Sequence, residues 1–163
     1  MPKGILEDLV EIVGIAPPAN FPEIDDDTWH TQIAVDELLE LPLAKPDIEQ
    51  LLNVHVNVEI TRTKMINTPI GYKAVVRGVI KQKIVYVADV PEQSLHAAHF
   101  EKPFCTFIPI PKDEKDEDWD KDEKQEARDV GDVHARAIIE DVLITEFGKR
   151  HIHQCAILFI WLE

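Results

Sequence analysis

The chain has 163 residues, of which 45% are hydrophobic, so it is long enough to form one domain around a packed core. Its formal net charge is −14 and the sequence contains no basic cluster, which argues against nucleic acid as a partner, because phosphate binding needs clustered Lys and Arg. No apolar stretch approaches the roughly 20 residues that span a bilayer, so membrane insertion is not expected.

The amino terminus, MPKGILEDLVEIVGIAPP, has acidic residues inside its apolar part, which a signal peptide lacks. We therefore expect synthesis in the cytoplasm without a signal peptide. The pattern of ILEDLVEIVGI fits a helix or a strand. Three prolines follow, Pro17, Pro18 and Pro22, which favour an extended arm and disfavour a helix. Residues 1–24 are thus predicted as an arm or first strand plus a Pro-rich linker, and residues 25–163 as a single domain.

Two strands follow in the first half of that domain. In VHVNVEI, the apolar residues Val54, Val56, Val58 and Ile60 alternate with polar residues, which indicates a strand with one buried face. YKAVVRGVIKQKIVYVAD alternates in the same way, and Gly78 in its apolar face suggests a bulge or a close backbone approach. The NTPIG turn between them predicts an antiparallel hairpin. Before the hairpin, AKPDIEQLL has a proline and early acids that suit one short helix.

The second half also indicates β structure. RHIHQCAILFIWLE is apolar on both faces, which predicts a central or covered strand. HARAIIEDVLITEF fits a helix as well, but its β-branched residues favour a strand. Lys112–Asp129 is a charged, mostly acidic loop. The predicted fold is all-β and mainly antiparallel: a jelly-roll-like β-sandwich with at most one or two short helices and an extended N-terminal arm.

The stretch SLHAAHFEKPFCTFIPIP predicts an irregular loop that leads into a short edge strand. Pro109 and Pro111 remove hydrogen-bond donors, which is tolerated at the edge of a sheet. Phe104 and Phe107 fall on opposite strand faces, so at most one of them lies in the core. The other is expected on an interaction surface, and Cys105 shares the face of Phe107.

Metal and catalytic motifs are weak. His151, His153 and Cys155 project from one face of a strand and are the best placed ligands for Zn²⁺ or Cu, whereas His96 and His99 point to opposite faces. The acidic loop opens like an EF-hand but has Lys121 and Ala127 where Gly and Glu are required. No phosphate-binding loop, nucleophile elbow or HExxH pair is present. We predict no metal, no cofactor and no enzymatic activity.

Four phrases carry a resemblance to a known family: TWHTQIAVDELLELP, KPDIEQLLNVHVNVEI, VVRGVIKQKIVYVAD and EQSLHAAHFEKPFCTFIPIP. They resemble the SPOCS domain, a β-rich module of spore-coat and spore-morphogenesis proteins in endospore-forming Firmicutes. Multidomain members carry further modules, such as a LysM-like tail, that this sequence lacks. The resemblance implies a small structural subunit, made in the mother cell and placed on the spore surface or in an extracellular fibre, without catalytic residues.

The resulting hypothesis is a structural protein of the spore coat or a related fibre that associates with itself. An extended arm can add to a neighbour's sheet, and unpaired sheet edges can do the same. The residues expected to mediate self-association are Ile15, Pro17, Pro18, Phe21, Pro22, Phe104 and Phe107. The alternative hypothesis is a monomeric module that docks another spore-coat protein.

Overall fold

A computed structural model describes residues 10–26, 28–110 and 128–163, with the backbone alone for 128–132. Its strands are β1 (Glu11–Val13), β2 (His30–Glu40), β3 (Ile48–Thr68), β4 (Gly71–Ala88), β5 (Leu95–Ile110), β6 (Arg128–Asp132), β7 (Ala135–Phe147) and β8 (His151–Leu162). The helical content of this described part is a single 3-10 turn, Pro18–Asn20. The prediction of an all-β fold is confirmed.

The strands form two sheets. In the large sheet the order is β1-β3-β4-β5, and β6 pairs with the far end of β3. In the small sheet the order is β2-β8-β7, so the doubly apolar β8 is central, as its sequence predicts. All pairings between these strands are antiparallel except that of β1 with β3. Strand β7 lies against β3 and β2 against β5, which stacks the two sheets into a sandwich.

The β3–β4 hairpin follows the predicted alternation. Val54 and Val56 on β3, and Ile80 and Ile84 on β4, are buried between the sheets, while the lysines between them are exposed. The turn has two residues and closes on Gly71, whose φ of +133° is a conformation that favours glycine. The core is completed from the small sheet by Leu39, Ile139, Val142, Ile152, Ala156, Leu158 and Ile160.

Gly78 is a site of close approach, as its position in the pattern predicts. A Cβ atom there would lie 2.5 Å from Cζ of Phe104 and 2.7 Å from the carbonyl oxygen of Glu59. The register of β3 also shifts opposite this glycine, between Ile60 and Arg62. The missing side chain thus makes room for a core aromatic and for a bulge.

The short helix predicted for AKPDIEQLL is wrong, because this segment contains the start of β3. Ile48, Leu51 and Val54 are all buried, a spacing of three that imitates a helical face. Two irregularities in the pairing with β4, between Ile48 and Gln50 and between Leu51 and Asn53, produce that spacing in a strand. Tertiary packing therefore overrides the local helix signals.

The irregular loop predicted before the edge strand is also wrong. The whole stretch from Leu95 to Ile110 is one strand of 16 residues that pairs continuously with β4. Its position at the edge of the large sheet is confirmed. Pro111 and the acidic loop up to residue 127 lie outside the described residues, and the loop's last two positions, 128 and 129, begin β6.

Arg150, in the β7–β8 turn, ties the ends of the two sheets together. Its guanidinium donates to the carbonyl oxygens of Lys45 and Pro42 at 3.0 and 2.8 Å and to Asp47 Oδ1 at 2.7 Å. The buried Tyr86 donates its hydroxyl to the carbonyl oxygen of Pro46 at 2.8 Å. Burial raises the pKa of Tyr86, and Asp47 raises it further while Arg150 lowers it.

Candidate functional site

The arm lies on its own domain in the described residues. Strand β1 adds to β3 in parallel, with Ile12 opposite Val54. Gly14 then passes the large sheet so closely that a Cβ atom would lie 1.9 Å from the carbonyl oxygen of Val56, and its φ is +120°. A glycine is therefore required for the arm to leave the sheet at this point.

Beyond Gly14 the arm joins the second sheet. Ile15 forms a parallel bridge with Ile139 of β7, and the amide of Ala16 donates to the carbonyl oxygen of Ile139 at 2.8 Å. After the 3-10 turn, the ring of Phe21 lies 5.9 Å from that of Phe159, on the outer face of β8. The arm thus closes the seam between β3 and β7 and covers part of the small sheet.

Some of the arm residues predicted to mediate self-association pack against the chain's own domain, and others are exposed to solvent. Phe21 and Pro22 are half-buried against the small sheet, whereas Ile15, Pro17 and Pro18 are exposed. The arm is extended on both sides of a single 3-10 turn, which Pro18 begins, so the prolines do not exclude all helical structure.

The two phenylalanines of β5 separate as predicted. Phe104 is 9% exposed and belongs to the core, whereas Phe107 is 48% exposed on the opposite face. The ammonium of Lys73 lies 4.7 Å from the Phe107 ring centroid, a cation–π contact. Cys105 is exposed on the face of Phe107, so an edge strand presents an aromatic, a thiol and two prolines together.

Two of the three candidate metal ligands of β8, His151 and His153, contact acidic side chains of the neighbouring strand. His153 contacts the carboxylate of Asp36, and His151 Nε2 lies 3.7 Å from Glu40 Oε1. Cys155 is a free thiol opposite Asp36. Within residues 10–26, 28–110 and 133–163, no three His, Cys, Asp or Glu side chains form a group that could hold a metal ion. On β5, His99 faces outward, while His96 stacks on Tyr86 with ring centroids 5.9 Å apart.

Three exposed apolar side chains on the outer face of the small sheet were not predicted from the sequence. Leu38 of β2 and Leu143 and Phe147 of β7 flank β8 and are exposed. The strand order and register bring these residues to one face, and the arm covers only the other end of that face.

A basic face on the large sheet was also not predicted. The outward positions of β4 carry Lys73, Arg77, Lys81 and Lys83, and the neighbouring outward positions of β3 add Arg62 and Lys64. Lys81 lies 2.9 Å from Glu59, and this hydrogen bond raises the pKa of the Lys81 ammonium. Period-two spacing spreads these residues along the sequence, so they form no cluster until the strands pair.

Comparison with known proteins identifies the family. The sequence matches the family model described as SipL, SPOCS domain, over residues 47–142, which is more than half of the chain. The chain belongs to the SPOCS-domain family. The match runs from the start of β3 into β7 and therefore includes the β3–β4–β5 meander that carries the basic face. No curated protein and no solved structure matches the chain.

Membership of the SPOCS-domain family indicates a sporulation-related role, as the resemblance predicted. Among the described residues there is no helix that is long and apolar enough to cross a membrane.

Proposed function

We propose that this SPOCS-domain chain is a structural protein of the spore coat or of a related extracellular fibre, and that it associates with itself. It is made in the mother cell, it acts at the spore surface, and it works without catalysis, metal or cofactor. Its partners are further copies of itself and other coat proteins.

The observation that carries this proposal is the way the arm is attached. In the described part of the arm, strand β1 pairs with β3 over three residues, and one bridge joins Ile15 to β7. A neighbour's arm can make the same contacts on the same edges, so an exchanged arm replaces every contact that the closed chain loses. Exchange of arms between copies then depends on the protein concentration and on the free energy needed to detach the arm from its own domain. Because β1 is short, that cost is small.

The exposed edge strand supports the same proposal. β5 offers 16 residues of strand, with Phe107 exposed on its outer face. Pro103 and Pro109 remove two backbone donors from this strand, which limits unspecific pairing while leaving the remaining edge groups for one partner.

The test is assembly with and without the arm. Deleting residues 1–24 should leave a folded β domain by circular dichroism and abolish the multimers seen by light scattering and negative-stain microscopy. If the truncated chain forms the same multimers, the arm does not mediate association.

A second candidate function, a monomeric module that docks another coat protein, is favoured by the exposed apolar side chains of Leu38, Leu143 and Phe147 on one face of the small sheet. Exposed apolar groups of this kind mark protein contacts. A chain that stays monomeric at about 100 μM would favour this alternative, because weak association is measurable at that concentration.

A further inference from the structure

Two glutamines are buried between the sheets, and each has a carbonyl oxygen that no described donor reaches. Gln82 of β4 is 2% exposed and Gln154 of β8 is 1% exposed. Among the described residues, neither Oε1 atom has a hydrogen-bond partner. A buried acceptor without a donor lowers the folding equilibrium constant roughly 5- to 150-fold, and native proteins satisfy most such groups with a residue or an ordered water.

Glu37 of β2 brings the two glutamines together. Nε2 of Gln82 donates to Oε2 of Glu37 at 2.7 Å, which links the large sheet to the small one. Glu37 is also the cross-strand partner of Gln154. Partners of this kind have Cβ atoms about 5 Å apart on the same face of a sheet. The three polar side chains therefore form one cluster between the sheets.

The hydrogen bond to Glu37 fixes the orientation of the Gln82 amide. A flipped amide would place its carbonyl oxygen against the carboxylate, where two acceptors would face each other without a proton. Glu37 cannot satisfy either glutamine carbonyl, because a carboxylate only accepts hydrogen bonds. The cluster therefore needs a donor that serves two acceptors.

The neighbouring side chains along the two glutamine strands are apolar and supply no donor. The inward positions two residues away on either side of the glutamines are fully buried: Ile80, Ile84, Ile152 and Ala156. Glu37, in contrast, is half-buried on the edge strand β2, so a small molecule has a route to the cluster from solvent. A ligand at this position must be small and must donate twice, and one water molecule meets both requirements.

We infer that one ordered water molecule binds between Gln82 and Gln154, beside Glu37. Its two O–H groups donate to the two Oε1 atoms, so the water joins β4 of the large sheet to β8 of the small one. Together with the hydrogen bond from Gln82 to Glu37, it forms a polar link in the middle of an apolar core. A water held by buried polar groups in this way is part of the folded structure and is costly to remove. The inference does not depend on the proposed self-association.

The experiment uses the full chain, isotope-labelled for NMR. Nuclear Overhauser spectra detect a long-lived water beside the side-chain amide protons of Gln82 and Gln154, and urea unfolding gives the equilibrium constant of each variant. We expect the water signal in the wild-type chain and its loss in Gln82→Met and in Gln154→Met, since either change removes one of the two acceptors. The matched control is Gln50→Met, the same change at an exposed glutamine of β3, which should keep the signal.

The unfolding constants of the single and double variants show whether the two glutamines share one ligand. The effect of the double variant should differ from the product of the two single effects by roughly 2- to 150-fold, because the first change already removes the water. Multiplicative effects, or a water signal that persists in Gln154→Met, would overturn the inference. A wild-type spectrum without a long-lived water would overturn it even if a Met variant fails to fold.

A bound cation is the competing occupant, because all three side chains carry oxygen atoms that could ligate one. We expect the same melting temperature in sodium, potassium or calcium chloride as in the chloride of a large organic cation at equal ionic strength. A higher melting temperature in one of the metal salts, lost in Gln154→Met but kept in Gln50→Met, would assign the site to a cation and refute the water.

Discussion

Replacing each phenylalanine of β5 by alanine tests whether the two faces of this strand have separate roles. Phe104 is almost fully buried and packs over Gly78, where no side chain can fill the space that it leaves. Phe-to-Ala changes at such positions cost about 3–5 kcal/mol. At roughly 2–4 °C per kcal/mol for a chain of this length, the melting temperature of Phe104→Ala should fall by roughly 6–20 °C.

Phe107→Ala should behave differently, because its ring is 48% exposed and contacts Lys73. Loss of an exposed cation–π contact costs about 0.5–1 kcal/mol, so the melting temperature should fall by only roughly 1–4 °C. We expect this variant to weaken association instead, since it removes an aromatic group from the outer face of the edge strand.

Thermal unfolding followed by circular dichroism gives the stability of each variant, and light scattering gives its association. Trp29→Ala is the matched control, because Trp29 is also an exposed aromatic residue but lies just before β2 of the small sheet. Equal loss of stability in the Phe104 and Phe107 variants, with association unchanged in both, would refute the assignment of Phe107 to a contact surface.

Three further changes test individual features. Gly14→Ala should release the arm, since a Cβ atom has no room beside Val56, and amide exchange at residues 12–16 should accelerate while that of β8 stays slow. Arg150→Lys should cost about 1–3 kcal/mol by urea unfolding, because one ammonium cannot replace a guanidinium that binds three acceptors, and equal stability would contradict this. Tyr86→Phe should cost about 1 kcal/mol at pH 7 through the lost hydrogen bond to Pro46. Its deficit should shrink above about pH 10, where the unfolded wild-type chain releases the tyrosine proton while burial keeps the pKa of the folded chain higher, so wild-type stability falls there; a constant deficit would show that Tyr86 does not titrate on unfolding.

Strands with regular alternation were predictable, and those with bulges were not. VHVNVEI and the segment around Gly78 have period two, and the structure buries Val54 and Val56 on the predicted face and half-buries Val58 and Ile60. Ile48, Leu51 and Val54 have period three because the pairing with β4 shifts twice, and no local signal distinguishes this from a helix. Similarly, the prolines of β5 indicate an edge but not the length of the strand.

The basic face and the exposed apolar residues could not be predicted without knowing which strands pair. Arg62 and Arg77 are 15 positions apart in the sequence, and they become neighbours only through the hairpin and its shift after Ile60. Leu38 and Leu143 belong to strands that never pair with each other and share a face through β8. Charge and apolar clusters of this kind depend on register, which the sequence alone does not determine.

The pairing of β2 with β8 has a consequence for synthesis on the ribosome. β2 ends at Glu40, but its partner β8 ends at Leu162, so about 120 residues must be made before the small sheet can close. At about 5–20 residues per second this takes roughly 6–24 s. Meanwhile the β3–β4–β5 meander can form from local contacts. During this time β2 has no partner strand. Its carboxylates at Asp36, Glu37 and Glu40 disfavour aggregation with other nascent chains.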